Sequence, residues 1–530
     1  GDVLSSRWMI IQLNIHHCLI RNGLMGILLL LFSACQFGEP QTPHVVISNV
    51  TFTGNLISGG QSESYLGIPF AAAPIDKLRW ALPQEWIPQE TSYTANQFAP
   101  ACMQGPHISN WYKNVISSFG SEPDKFITPE ISEDCLYLNV WRPTKKTLDL
   151  LPVIVYIHGG SNKGGWSYEP NYEGAKLASK GVIVVSIAYR VGVFGFFSHP
   201  QLEQANFGLL DQIAALEWIQ NNIHVFGGDR NAVTVMGESA GANNIDYLLV
   251  SPLSRDLFAR VIHQSGGSSL TNRSIRKEHL RRGQQFSSLL LEASPNDAID
   301  QLREFSSEDI LAAAQIAYVG HYFDPVVDNF SVLKTVVDSV REGKIHPVDL
   351  LIGTNHDEWL LDLEDGVDVE AWLAAEVSNE VAQQLRSVLV DIANPKRQMD
   401  LLITAKHYVC PSLMLATKVK ENQGQSWVYS FNRVRPGALA ASMGAYHGAE
   451  LPYVFDTHDE WLPTNAVDRR LTETIQSYWT QFVKTGNPNY EKLPAWLPYK
   501  THTASVQMLD NNISQAYHSS QSICDALMPL

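Results

Sequence analysis

Gly237-Glu238-Ser239-Ala240-Gly241 is a G-x-S-x-G pentapeptide. It follows the β-type apolar run Val233-Thr234-Val235-Met236 and leads into the small residues Ala240-Gly241-Ala242. A serine held on a sharp strand-to-helix turn needs glycine two residues before and after it, because side chains there would collide. Such a turn exposes the Ser239 hydroxyl as a nucleophile. It also aims the N-terminus of the next helix at developing negative charge. The chemistry this permits is acyl transfer through a covalent acyl-serine. A Gly-rich turn without chemistry is the bland alternative, and the flanking strand and small residues weigh against it. A second candidate is His158-Gly159-Gly160-Ser161, which follows the apolar run 151–157. Backbone N–H groups of this loop, with that of Ala240, could bind an oxygen that becomes negative on attack. Losing one such donor costs about 3 kcal/mol of barrier.

These segments need a scaffold. Leu151–His158, Gly181–Tyr189, Val233–Met236 and Val348–Gly353 are short β-branched runs without alternation, the pattern of strands covered on both faces. Between the second and third lies a helical stretch, 208–223, with apolar residues at 209, 210, 213–216 and 219. Strand, helix, strand in this order predicts right-handed crossovers and an α/β fold, with a central, mostly parallel twisted sheet flanked by helices. Reactive groups then belong at the C-terminal ends of the strands.

The chain has 530 residues, 45% of them hydrophobic, and no repeat, linker or charge run divides it. One large domain over 41–530 is expected. The net charge of -16 argues against a nucleic-acid partner, whose binding depends on clustered Lys and Arg. At the N-terminus, Arg21 precedes the apolar run Leu24–Phe32, and the small residues Ser33 and Ala34 lead to Cys35. This reads as a targeting segment over 1–40, too short for a spanning helix of about 20 apolar residues. Phe32-Ser33-Ala34-Cys35 resembles a bacterial lipoprotein box, in which Cys35 is lipidated and anchors the chain to a membrane; a plainly cleaved signal is the alternative. Either predicts export. Cys18 and Cys35 belong to that segment, leaving Cys102, Cys135, Cys410 and Cys524, an even set that fits two disulfides in any of three pairings.

Several longer motifs now converge. Gly67-Ile68-Pro69-Phe70, Leu78-Arg79-Trp80, Glu133-Asp134-Cys135-Leu136-Tyr137-Leu138-Asn139-Val140, Tyr189-Arg190-Val191-Gly192-Val193-Phe194-Gly195-Phe196, Asn206-Phe207-Gly208-Leu209-Leu210-Asp211-Gln212, Phe226-Gly227-Gly228-Asp229 and Thr485-Gly486-Asn487-Pro488-Asn489 occur in order. With the elbow they make the chain resemble the type-B carboxylesterase/cholinesterase family, of the bacterial carboxylesterase type, from about residue 43 onward. The resemblance implies the α/β-hydrolase fold and a serine carboxylesterase that acts on small-molecule esters without metal or cofactor. It makes Glu358, in Gly353-Thr354-Asn355-His356-Asp357-Glu358, the triad acid, with Asp357 as the competitor. It makes His447, in Tyr446-His447-Gly448-Ala449-Glu450-Leu451-Pro452-Tyr453, the base in preference to His321, His407 or His458. The oxyanion donors become the N–H groups of Gly160, Ser161 and Ala240. Glu238 and Ser265 become supports of the acid and base. Cys102 pairs with Cys135, and Cys410 with Cys524, with two free thiols the alternative for the second pair.

The chain departs from the family in three places. Ser161 and Trp359 stand where glycine is usual, and Trp111 lies too near Cys102 to serve as a cholinesterase's aromatic platform, so acetylcholine specificity does not carry over. An amidase, thioesterase or lactonase would use the same triad. A non-catalytic adhesion protein, the other rival, would lack it. Asn49, Asn272, Asn329 and Asn512 each begin an Asn-x-Ser/Thr acceptor.

Overall fold

Continuous apolar runs become the middle of a large sheet. The computed structural model describes residues 42–57, 59–271, 276–293 and 295–528. The expected targeting segment, with Cys35, lies outside them, as does Asn272. The main sheet contains β1 (Asn55–Leu56), β2 (Ser62–Pro69), β3 (Tyr137–Pro143), β4 (Leu151–Ile157), β5 (Ile183–Ile187), β6 (Gly228–Glu238), β7 (Arg260–Gln264), β8 (Asp349–Asn355), β9 (Ser426–Phe431), β10 (Val506–Leu509) and β11 (Ser514–Ala516). Their spatial order is β11-β10-β9-β8-β7-β6-β4-β5-β3-β2-β1. All pairs from β10 through β5 are parallel. The β1, β2, β3 side and β11 run antiparallel at the two edges. This is the α/β-hydrolase architecture expected from the sequence.

The lack of alternation in the strands has a direct cause. In β4, Val153, Val155 and Ile157 enter one core, while Ile154 and Tyr156 enter the other. Both faces are covered, so every position must be apolar. Burying each such side chain contributes roughly 1.5–3 kcal/mol. Helix Phe207–Asn222 packs Leu209, Ile213, Leu216 and Ile219 into the first core. Helix Ala466–Thr485 packs Leu471, Ile475, Tyr478, Trp479 and Phe482 into the second.

Both disulfides form, Cys102–Cys135 across 33 residues and Cys410–Cys524 across 114. On the chain-entropy account they stabilise by about 4 and about 5 kcal/mol. Disulfides persist in oxidising compartments, and the two here fit an extracellular or secreted protein. Among the described residues no helix is long and apolar enough to cross a membrane.

Candidate active site

Five adjacent parallel strands, β9, β8, β7, β6 and β4, deliver the candidate residues from their C-terminal ends. Ser239 follows β6 directly and precedes helix Ala240–Val250. Its backbone is strained, with φ 56° and ψ −125°, a conformation that costs on the order of 1–3 kcal/mol. The flanking glycines are required by contact. A Cβ on Gly241 would lie 2.0 Å from the Ile157 carbonyl oxygen of β4, and one on Gly237 would lie 2.7 Å from the Gly241 carbonyl carbon. The Ser239 N–H donates to the Gln264 carbonyl at 2.9 Å, tying the turn to the end of β7.

The histidine and the acid meet as a pair. His447 Nδ1 lies 2.7 Å from Glu358 Oε2, and Glu358 is fully buried. The other Glu358 oxygen accepts the Asn355 N–H at 2.7 Å. Asp357, the competing acid, is turned away: it accepts from the Ala445 N–H at 2.8 Å and lies 2.9 Å from His356 Nδ1. His447 Nε2 faces the elbow, 3.2 Å from Glu238 Oε1 in an ion-pair contact rather than a hydrogen bond. The rival histidines are engaged elsewhere. His458 contacts Thr472 and Arg435, and His321 packs edge-on against His279. His407 sits on the turn of Ala405–Val409, with Lys406 and Glu376 as its charged neighbours.

Burial opposes charging His447, but Glu238 and the bond to Glu358 outweigh it and raise its pKa above the ordinary histidine value. Glu238 is itself pushed up to about 8, first by burial, with His447 pulling the other way. Near neutral pH, Glu238 is therefore protonated much of the time, and its pull on His447 is then weakened.

The oxyanion loop packs against the nucleophile: a Cβ on Gly159 would lie 3.0 Å from Ser239 Cβ. The Gly160 carbonyl accepts from the N–H groups of Lys163 and Gly164, closing a turn that leaves the N–H groups of Gly160 and Ser161 without a backbone acceptor among the described residues. Ala240 is the first residue of its helix, where no intrahelical acceptor exists for its N–H. Ser161 adopts φ 56°, the left-handed region that glycine enters freely.

Ser265 caps β7 with φ 50°, and its N–H donates to the Gly353 carbonyl at 2.9 Å, joining β7 to the strand that carries Glu358. Trp359 does not disrupt the acid's turn. Its N–H donates to Asp400 Oδ1 at 2.8 Å, and its indole donates to the Tyr408 hydroxyl at 2.9 Å. The Tyr408 ring lies 5.4 Å from that of His447, on a π-helical turn, Ala405–Val409, immediately before Cys410. Trp111, on helix His107–Ser118 in the Cys102–Cys135 lobe, stands 3.5 Å from the Cβ position of Gly448, over the histidine loop. Two supports were not singled out from the sequence. Glu450 accepts from Asn355 Nδ2 at 2.7 Å and from Gln264 Nε2 at 3.0 Å, and Asn355 also donates to the Tyr446 carbonyl at 2.8 Å. Each lies three residues from a triad candidate, a spacing that could have flagged them. Among the described residues no group of three or more His, Cys, Asp or Glu could hold a metal ion.

The chain matches the carboxylesterase family over residues 41–525. It belongs to that family. The para-nitrobenzyl esterase of Bacillus subtilis (strain 168) is 32% identical over 472 residues, covering 85% of this chain and 92% of that protein. The liver carboxylesterase of Sus scrofa is 31% identical over 526 residues, covering 90% and 91%. A solved PNB esterase structure superposes with a TM-score of 0.79 at 29% identity, covering 92% of this chain and 99% of that one. As a member of the carboxylesterase family, the protein is a carboxylic ester hydrolase whose substrates are small-molecule esters.

Proposed function

We propose that the protein is a serine carboxylesterase working through an acyl-Ser239 intermediate, within a catalytic domain spanning 41–530. The observation that carries this is the 2.7 Å bond between His447 Nδ1 and buried Glu358, with Nε2 turned to the elbow. His447 accepts the Ser239 proton as the hydroxyl attacks the ester carbonyl. Glu358 fixes the tautomer and stabilises the imidazolium. The N–H groups of Gly160, Ser161 and Ala240 receive the negative oxygen. The alcohol leaves with the proton from His447, and water activated by the same imidazole then releases the acid.

Ser239→Ala, assayed on p-nitrophenyl acetate, is expected to lose on the order of 10⁴–10⁶ in kcat. Mass spectrometry of the wild type after an organophosphonate should place the adduct on Ser239. Full activity of the alanine variant would refute the nucleophile. Turnover of a matched anilide equal to the ester's would favour an amidase. Export is part of the same proposal, supported by the 24–32 apolar run and the two disulfides. Mass spectrometry of the mature N-terminus distinguishes lipidation of Cys35 from simple cleavage.

A further inference from the structure

Ser161 and Asn162 are consecutive, and both lie in the left-handed region, with φ of 56° and 53°. A residue with a Cβ enters that region against steric repulsion, and asparagine tolerates it better than serine. Two in succession persist only where the surroundings over-determine them. Here the surroundings converge on one buried side chain. Asn162 Nδ2 donates to the Phe323 carbonyl at 2.9 Å and lies 3.3 Å from Asn244 Oδ1. Asn162 Oδ1 accepts from Asn244 Nδ2 at 2.9 Å. The Tyr189 hydroxyl, which donates to the His158 carbonyl at 2.7 Å, stands 3.4 Å from the same oxygen. The Asn162 carbonyl accepts the Gly192 N–H at 2.6 Å.

Asn244 is fully buried, five residues after Ser239 on helix Ala240–Val250. The amide pair therefore ties the loop that carries Ser161 to the helix that carries Ala240. A buried amide pair is a costly way to fill a core. Leaving either partner unpaired is penalised, whereas apolar groups of the same shape would pack at little loss. What the pair offers instead is a fixed distance and orientation.

We infer that Asn162 and Asn244 are the positioning residues of the oxyanion donors, locking the Ser161 N–H against the Ala240 N–H; this rests on the oxyanion role proposed above. Neither touches the reacting atoms. Their effect is confined to the transition state, because the donors must meet the oxygen where it becomes negative rather than where the ester carbonyl first binds.

The test is hydrolysis of p-nitrophenyl acetate by Asn244→Ala and Asn162→Gly, each alone and combined with Ser161→Gly. It is read together with inhibition by an alkyl trifluoromethyl ketone, whose serine adduct carries the oxyanion. Glycine at 162 accepts the positive φ, so that variant removes the clamp without straining the backbone, and it carries the test if Asn244→Ala does not fold. In each variant kcat and ketone affinity should both fall about tenfold or more, with KM within about threefold, since losing a donor outright costs about 10²–10³. In the Ser161→Gly background, which no longer resists the loop's conformation, the further loss should shrink to about threefold or less. Unchanged kcat and ketone affinity, a loss confined to KM, or an equal loss in both backgrounds would overturn the inference. A wild-type enzyme that bound the trifluoromethyl ketone no tighter than the matching methyl ketone would instead overturn the oxyanion reading itself.

Discussion

Glu238→Gln should move the pH dependence of catalysis in a direction set by one contact. His447 must be neutral to act as a base, so activity rises as pH passes upward through its pKa. Burial works against its charged form, but Glu238 Oε1, 3.2 Å from Nε2, is the foremost cause holding that pKa above the ordinary value. At that distance two unit charges attract by about 1.3 kcal/mol at the dielectric of water and about 5 kcal/mol at an effective value of about 20. At about 1.4 kcal/mol per pKa unit, the bracket is about 1 to about 4 units. The Glu238 carboxyl, itself pushed up to about 8 by burial, carries its charge only part of the time near neutrality. That places the shift toward the lower end, at about 1 unit. The assay is kcat/KM for p-nitrophenyl acetate from pH 5 to 9, which reports the free enzyme's ionisations. The acid limb should lie above about 6.5 in the wild type and move down by about one unit in Glu238→Gln. The plateau should fall about tenfold, because the carboxylate that raises the pKa also stabilises the imidazolium formed in the transition state. A limb that stays in place or moves to higher pH would refute the reasoning.

Three further outcomes follow from particular contacts. Glu358→Gln should cost on the order of 10⁴ in kcat, whereas Asp357→Asn, whose carboxylate faces Ala445 and His356, should stay within about tenfold; the reverse order would transfer the acid's role. Glu169 is buried, and burial raises its carboxyl from 4.5 to about 8. A raised folded-state pKa contributes stability that is full below about 4.5 and is lost as pH rises through about 8. The thermal midpoint of Glu169→Gln relative to the wild type should therefore increase from pH 5 to pH 9, and parallel pH profiles would refute this. Gly241→Ala should lower the unfolding midpoint in denaturant by the equivalent of about 2 kcal/mol or more and abolish activity, because the new Cβ meets the Ile157 carbonyl oxygen at 2.0 Å; a stable, active variant would show that β4 can yield.

Sequence carried the sheet well, because its signal is local. A strand covered on both faces has apolar residues at every position, as in Val153–Ile157, and that can be read without knowing the neighbours. Boundaries were less legible. The run read as 348–353 continues as a strand to Asn355, because Thr354 and Asn355 pair with Ser430 and Phe431 of β9, a partner some 75 residues away. The candidate site divides in the same way. Ser239 and the loop at 158–161 announce themselves by glycine spacing, which is local sterics. His447 and Glu358 do not, since 89 residues separate them and only the resemblance drew them together. Asn162 and Asn244 had no signal of their own, and Glu450 and Asn355 had only their three-residue spacing from His447 and Glu358. A buried amide and an exposed one look alike in a sequence, and what distinguishes them is a partner from a segment distant in the chain.

Ser161 and Trp359, two of the three departures that the sequence resemblance pointed to, show how the surroundings of such a site are held. Both adjoin a group that the proposed chemistry requires in one position. Asn162, next to Ser161, is held by the Asn244 side chain and the Phe323 carbonyl, and Trp359 is held by the Asp400 carboxylate on its N–H and the Tyr408 hydroxyl on its indole. These partners come from the helix after the nucleophile, a loop beside the oxyanion turn, helix Pro395–Thr404, and the π-helical turn that follows it and precedes Cys410. None of them lies on the strands that present the triad. The parallel sheet therefore fixes where Ser239, Glu358 and the oxyanion loop emerge, and the surrounding segments fix how each turn is held. At the rim, hydrogen bonds from those segments hold residues that carry side chains, whereas Gly237 and Gly241, wedged between β4 and the elbow, have no room for a Cβ.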